Sequence, residues 1–167
     1  QILCTHPAQE YEGAAAQQLQ TLHVMGAPLA WAEEGWELPP CDLVIDAIAG
    51  MGLRGAPQGQ ARNLIQLANS NRAPILSLDL PSGVDSATGK LTTPHIRAAA
   101  TMTLALPKAA LLNDDVRAAC GDLYLADTGV PLALFEEMGL AVASIFGRDP
   151  IVRWDVVDGM AQVVPLT

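Results

Sequence analysis

Residues 42–60 read DLVIDAIAGMGLRGAPQGQ, an apolar run that ends among glycines. Asp42 to Ala49 is apolar, carries β-branched residues and is nearly unbroken, which predicts a strand covered on both faces. Gly50, Gly52 and Gly55 follow with G-x-G-x-x-G spacing. In a dinucleotide fingerprint a helix starts within that motif, and an acidic residue lies about 20 residues further on. Asp79 follows Gly55 by 24 residues, which fits. The helix does not fit. Pro57 and Gly59 delay it by about one turn, so Gly50 to Gly59 reads as a loop. Three readings stay open here: a dehydrogenase fingerprint, a turn without a ligand, and a phosphate- or substrate-binding loop of another kind.

Working outward, Gly59 to Asn69 reads as a short helix carrying Leu64, Ile65, Leu67 and Ala68. Pro74 to Asp79 is the next strand, cut off by the turn-rich LPSGVDSATGK, residues 80–90. Thr101 to Leu106 and Leu123 to Ala126 are further strands. Upstream, Ile2 to Cys4 reads as a strand and Ala8 to Met25 as a helix. Tyr11, Ala15, Leu19, Leu22 and Met25 share one face of that helix, and Gly26 stops it. Pro28 to Trp31 is a short strand, and Glu33 to Pro40 a loop. Downstream, Pro131 to Met138 is a helix opened by proline. Ala141 to Phe146 is open between strand and helix, and the tail beyond Arg148 is weakly patterned. Strand, helix and strand in alternation imply right-handed crossovers and a parallel sheet, an α/β fold. Ligands of such sheets sit beyond the carboxyl ends of the strands. The loops 50–60 and 80–90 both leave such ends, and their meeting point is the candidate site.

The bulk numbers narrow the function. The chain has 167 residues, 50% hydrophobic and 16% charged, which suits one globular domain. The net charge of −9 with no cluster of Lys and Arg argues against nucleic acid as a partner. The apolar runs are too short to span a membrane, and no secretory leader pattern opens the chain. Cys4, Cys41 and Cys120 lack zinc or disulfide spacing, read as small buried hydrophobes, and suit a reducing, cytoplasmic setting. His6, His23 and His95 form no metal-ligand pair at helical spacing. The chain opens at Gln1 in mid-pattern, so its natural N-terminus is expected upstream.

Two segments together, DLVIDAIAGMGLRGAP and ILSLDLPSGVDSATGK, resemble the NAD(P)H-hydrate epimerase family, the N-terminal domain type of the nicotinamide nucleotide repair enzymes. MTLALPKAALL and CGDLYLADTGVP resemble that family's next strands. The likeness runs from about Ile2 to Pro131. The family's preceding strand and its G-x-x-N-N-G-G-D-G loop have no counterpart in these residues. The resemblance implies a Rossmann-like three-layer α/β/α sandwich with a mostly parallel sheet, here as a single epimerase-type domain over 1–167 that lacks its N-terminal segment. It implies a homodimer, and an isomerase acting on hydrated NADH and NADPH, with an ADP- or ATP-dependent dehydratase fused or associated.

By the same resemblance, Gly50, Met51, Gly52, Leu53, Arg54, Gly55 and Ala56 contact the hydrated nucleotide. Asp79 contacts substrate and serves as acid and base, and Asp46 and Ser82 bind a potassium ion. The residues themselves leave more room. Asp79 also suits an Asx turn in DLPSG. Lys108 suits either orienting Asp79, touching phosphate, or plain solvation. Arg54 suits the nucleotide or solvent, and Asp85 caps the turn before Gly89. A carboxylate closing the apolar run before it, as Asp46 does, costs several kcal/mol unless it is paired or bound to a cation. An NAD-dependent oxidoreductase and a non-catalytic binding module of the same fold remain the alternatives.

Overall fold

A computed structural model describes residues 1–31, 36–140, 145–146 and 149–164. In chain order its main elements are β1 (Ile2–Cys4), α1 (Gly13–Val24), β2 (Leu29–Trp31), β3 (Val44–Asp46) and α2 (Gly59–Ser70). There follow β4 (Ile75–Leu78), β5 (Val84–Asp85), β6 (Lys90–Leu91), β7 (Ala100–Leu104) and α3 (Asp114–Cys120). The chain closes with β8 (Asp122–Ala126), α4 (Leu132–Glu137), β9 (Ile151–Val157) and β10 (Met160–Val164). The fold is α/β. The main sheet has the order β10-β9-β8-β7-β4-β3. Its β3, β4, β7 and β8 run parallel, and β9 and β10 are antiparallel additions.

The parallel part explains where the core lies. Going from β3 to β4, β7 and β8, each strand is laid on the same side of the last. Right-handed crossovers taken in one direction place their helices on one face of the sheet. Cross-strand partners share a face, and the register runs Asp46, Ser77, Thr101, Leu123, Trp154 in one row. All five are buried. On this face Val116 and Cys120 of α3 pack with Leu123, Leu125, Val152 and Trp154. Ile65 and Ala68 of α2 pack with Ile75 and Ile96. The opposite face is covered less, with Ile45 64% and Leu78 41% exposed.

Several expectations shift. The strand anticipated over 42–49 is only three residues long and lies at the sheet edge, and the 64% exposure of Ile45 shows that it is not covered on both faces. The helix anticipated from Ala8 is broken: a 3₁₀ turn over Ala8–Glu10 precedes extended backbone at Tyr11 and Glu12. Tyr11 therefore leaves the helical stripe, and its hydroxyl meets Thr5 Oγ at 3.3 Å. No residue of α1 is fully buried. β1 and β2 form a separate parallel pair. Among the described residues, no hydrogen bond links residues 1–31 to the six-stranded sheet. Cys4 and Cys120 are buried as expected, but Cys41 is exposed because it lies in the loop ahead of β3. Burial pushes the Cys120 thiol up to about 11.

The weakly patterned tail holds the β9–β10 hairpin. Its turn is Asp158-Gly159, both with positive φ (52° and 75°), the dipeptide that two-residue hairpins favour. α3 also escaped the sequence reading. Asn113 caps it by accepting the Asp115 N–H, with two acids in the first turn. Of the segment 141–146, left open above, residues 141–144 lie outside the described residues, as do 33–35 of the loop 33–40.

Candidate active site

β4 delivers Asp79. The chain leaves the strand with Asp79 in the left-handed region (φ 69°), a conformation that Asp tolerates better than most residues. Its N–H donates to Met102 O (2.8 Å), tying the turn to β7. One carboxylate oxygen, Oδ1, accepts from Lys108 Nζ (2.9 Å) and more distantly from Thr103 Oγ and Leu104 N, both at 3.4 Å. The second oxygen, Oδ2, has no hydrogen-bond partner among the described residues, and a Cβ built on Gly50 would lie 3.7 Å from it. The Lys108 ammonium is fully engaged, donating also to Leu104 O (2.6 Å) and Leu106 O (3.0 Å). Both side chains are mostly covered, at 19% and 17% exposure for Lys108 and Asp79.

The glycine loop after β3 faces this turn. Helix α2 begins only at Gly59, with Gln58 as its cap. Gly50 to Gly55 are therefore loop, as the sequence implied, and the motif is not a helix start. Two of its N–H groups are occupied: Leu53 N donates to Gly50 O (3.2 Å) and Gly55 N to Asp85 Oδ2 (2.7 Å). Arg54 Nη1 donates to Ser86 Oγ (2.7 Å) and Leu53 O (3.2 Å). Ser86 Oγ in turn donates to Met51 O. Asp85 Oδ1 accepts from Ala87 N (2.9 Å) and Thr88 N (3.0 Å), which is the expected turn cap. These donors hold the Asp85 carboxyl below the ordinary carboxylate range, Gly55 N–H contributing most.

At the base of the two loops sits Asp46, 2% exposed. Its Oδ2 accepts from Ser77 Oγ (2.8 Å) and Ser82 N (2.9 Å). Its Oδ1 accepts from Ser82 Oγ and from Ile48 N (3.3 Å). A carboxylate has about four acceptor positions, and all four are filled from within the protein. Ser82 Oγ also accepts from Ala49 N (2.9 Å) and lies 3.1 Å from Ala49 O, a second acceptor for its proton. The burial that the sequence flagged as costly is thus compensated by donors.

The structure brings the glycine loop, Asp79, Lys108, Asp46 and Ser82 together at one end of the parallel strands. Sequence reading missed Ser77 and Thr103, each on a strand face aimed at a carboxylate, and the grip of Asp85 and Ser86 on the glycine loop. Alternation along ILSL and ATMTL puts Ser77 and Thr103 on the buried face, which was a usable signal. Nothing in the sequence joins residues 55 and 85. A cavity of about 360 Å³ lies elsewhere, bordered by Gln66, Asn69, His95 and Arg97, and none of these site residues lines it. Among the described residues, no cluster of three or more His, Cys, Asp or Glu is placed to hold a metal.

Comparison with known proteins identifies the family. The family profile described as YjeF-related protein N-terminus matches residues 1–110, including both loops and Lys108. The chain belongs to this family. Among its YjeF-related relatives is an NAD(P)H-hydrate epimerase of Truepera radiovictrix, 36% identical over 141 residues, covering 83% of this chain and 61% of the relative. An NAD(P)H-hydrate epimerase of Dehalogenimonas lykanthroporepellens is 40% identical over 104 residues, covering 62% of this chain and 41% of the relative. The bifunctional NAD(P)H-hydrate repair enzyme Nnr of Escherichia coli is 36% identical over 109 residues, covering 60% of this chain and 21% of that enzyme. This YjeF-related chain thus spans less than two thirds of the length of these relatives. The crystal structure of yeast ynu0 superposes with a TM-score of 0.66 at 21% identity, over 86% of this chain and 61% of that one, which supports the fold.

Proposed function

We propose that the site epimerises the hydrated nicotinamide ring of NADHX and NADPHX, interconverting the R and S forms in nicotinamide nucleotide repair. The observation that carries this reading is the division of labour within Asp79. Lys108, Thr103 and Leu104 N hold one oxygen, while the other faces the glycine loop with no partner among the described residues. The substrate has a hydroxyl on C6, beside the ring nitrogen. Inversion needs no redox change: the hydroxyl leaves with a proton, an iminium forms, and water returns to the other face. Ring opening and reclosure reaches the same product. Either route needs one group that gives and takes a proton, worth about 10²–10⁴-fold. Asp79 Oδ2 is the group in place. Lys108, with its N–H groups engaged, acts by orienting Asp79. The glycine loop, from Gly50 to Ala56, forms the nucleotide side of the pocket.

The relatives' names support the reading, both the single-function epimerases and the bifunctional repair enzymes. The bifunctional repair enzymes support a second activity beside the first, in this reading a fused or associated dehydratase. A hydride-transfer site is disfavoured, because α2 starts beyond the glycine motif. Incubating the chain with purified R epimer of hydrated NADH should yield the S epimer, separated by chromatography, with no change in the nicotinamide absorbance band. Asp79→Asn should slow conversion by at least about 10²-fold. Equal rates for wild type and variant would remove Asp79 from the chemistry.

Potassium belongs to this proposal as an ion on Asp46 and Ser82. Asp46 Oδ1 becomes available if the Ser82 hydroxyl turns its proton to Ala49 O, which lies within reach. The ion would supply positive charge near the base of the nucleotide pocket. Replacing potassium by choline in a nucleotide titration should weaken binding; an unchanged isotherm would leave Asp46 and Ser82 as a purely internal hydrogen-bond cluster.

A further inference from the structure

Asp85 is more than the cap of its own turn. Oδ1 alone serves the turn, accepting from Ala87 N and Thr88 N. Oδ2 reaches back 30 residues to the Gly55 N–H at 2.7 Å. The next residue, Ser86, accepts from Arg54 and donates to Met51 O. Two consecutive residues of the loop behind Asp79 therefore grip the glycine loop at Met51, Arg54 and Gly55. That loop needs gripping. Gly55 sits at φ 69°, and a segment with three glycines in six residues has many other conformations open to it. A loop ordered in advance saves the ligand the entropy of ordering it.

We propose that Asp85 is a positioning residue for substrate: through the Gly55 N–H it holds the glycine loop in its ligand-ready shape against the Asp79 turn, so that affinity, and not the chemical step, depends on it. The inference rests on the epimerase reading of the site. Ser86 adds to the same clasp from the neighbouring position.

Asp85→Asn separates the two roles of the side chain. Its one amide oxygen can still serve Ala87 and Thr88, but the other position becomes an NH2 group, which cannot accept from Gly55. In wild type and variant, KM and kcat are measured for the R epimer of hydrated NADH, and Gly55 amide exchange is followed by NMR. The expected result is a KM raised about 10-fold, kcat within about two-fold, and faster Gly55 exchange. Ser86→Ala should raise KM in the same sense by less. An unchanged KM with unchanged Gly55 exchange overturns the proposal, and so does a loss confined to kcat, which would put Asp85 in the chemistry. If the wild type does not convert the R epimer, the epimerase reading fails by itself. Gly55 exchange then still decides the clasp: faster in Asp85→Asn supports it, unchanged overturns it.

Discussion

Asp85 ties loop geometry to pH. The N–H groups of Gly55, Thr88 and Ala87 favour its charged form, and burial opposes them with a smaller effect than that of Gly55 or Thr88. Its folded pKa is lowered from the ordinary 3.8. Stabilisation from such a carboxylate is fully present above the unfolded value and is lost as pH falls through the folded one. Urea unfolding of the wild type should therefore lose stability as pH falls below about 4, and Asp85→Asn should lose less over the same fall. Parallel curves would show that the clasp does not contribute to acid sensitivity. At this scale the sequence was half legible. Asp79, Lys108 and Asp46 could be placed because each closes or follows a strand, and Ser82 by the family resemblance. What each one touches could not be read. Asp46 meets two serine hydroxyls, one of them, Ser77, from the next strand, and Asp85 meets a residue 30 positions away, contacts that only the tertiary fold creates.

Among the elements, the turn after β4 depends on one glycine. A Cβ on Gly83 would lie 2.6 Å from His95 Cα and 2.7 Å from Pro94 O, and its φ is 107°. The segment 94–96 passes so close because Ile96 N donates to Ser82 O (2.8 Å) and Thr92 N to Gly83 O (2.9 Å). Gly83→Ala should destabilise the fold by about 2–4 kcal/mol, read from the urea midpoint, since backbone atoms on the far side cannot swing away. A cost under about 1 kcal/mol would mean that the segment yields. The PSG in the loop is thus a packing requirement as well as part of the site. The strands β3, β4, β7 and β8 and helix α2 were recognisable from their apolar patterns. The 8–25 helix was misjudged at its start because Tyr11 keeps helical spacing while its hydroxyl bonds Thr5 instead. The β9–β10 hairpin was missed although Asp158-Gly159 announces it.

For the whole molecule, the imbalance between the two faces of the sheet has a measurable outcome. Ile45 and Leu78 stay exposed, with Leu76 and Met102 half-buried on the same face. Parallel sheets are ordinarily covered on both faces, and a contiguous apolar patch favours association. The 167-residue chain should bind the dye ANS in its native state and elute larger with rising concentration, and Ile45→Thr with Leu78→Thr should reduce both effects. A dye-silent monomer at all concentrations would mean that this face is covered in solution. The same imbalance sets how the chain tolerates change. Along Ile75-Leu76-Ser77-Leu78 and along β7, mutational damage should beat in twos: severe at each odd position, where the side chain is buried, and milder at each even one. An evolving lineage would find its freedom on that quiet beat, and could rewrite half of every central strand without disturbing the loops that hold Asp79.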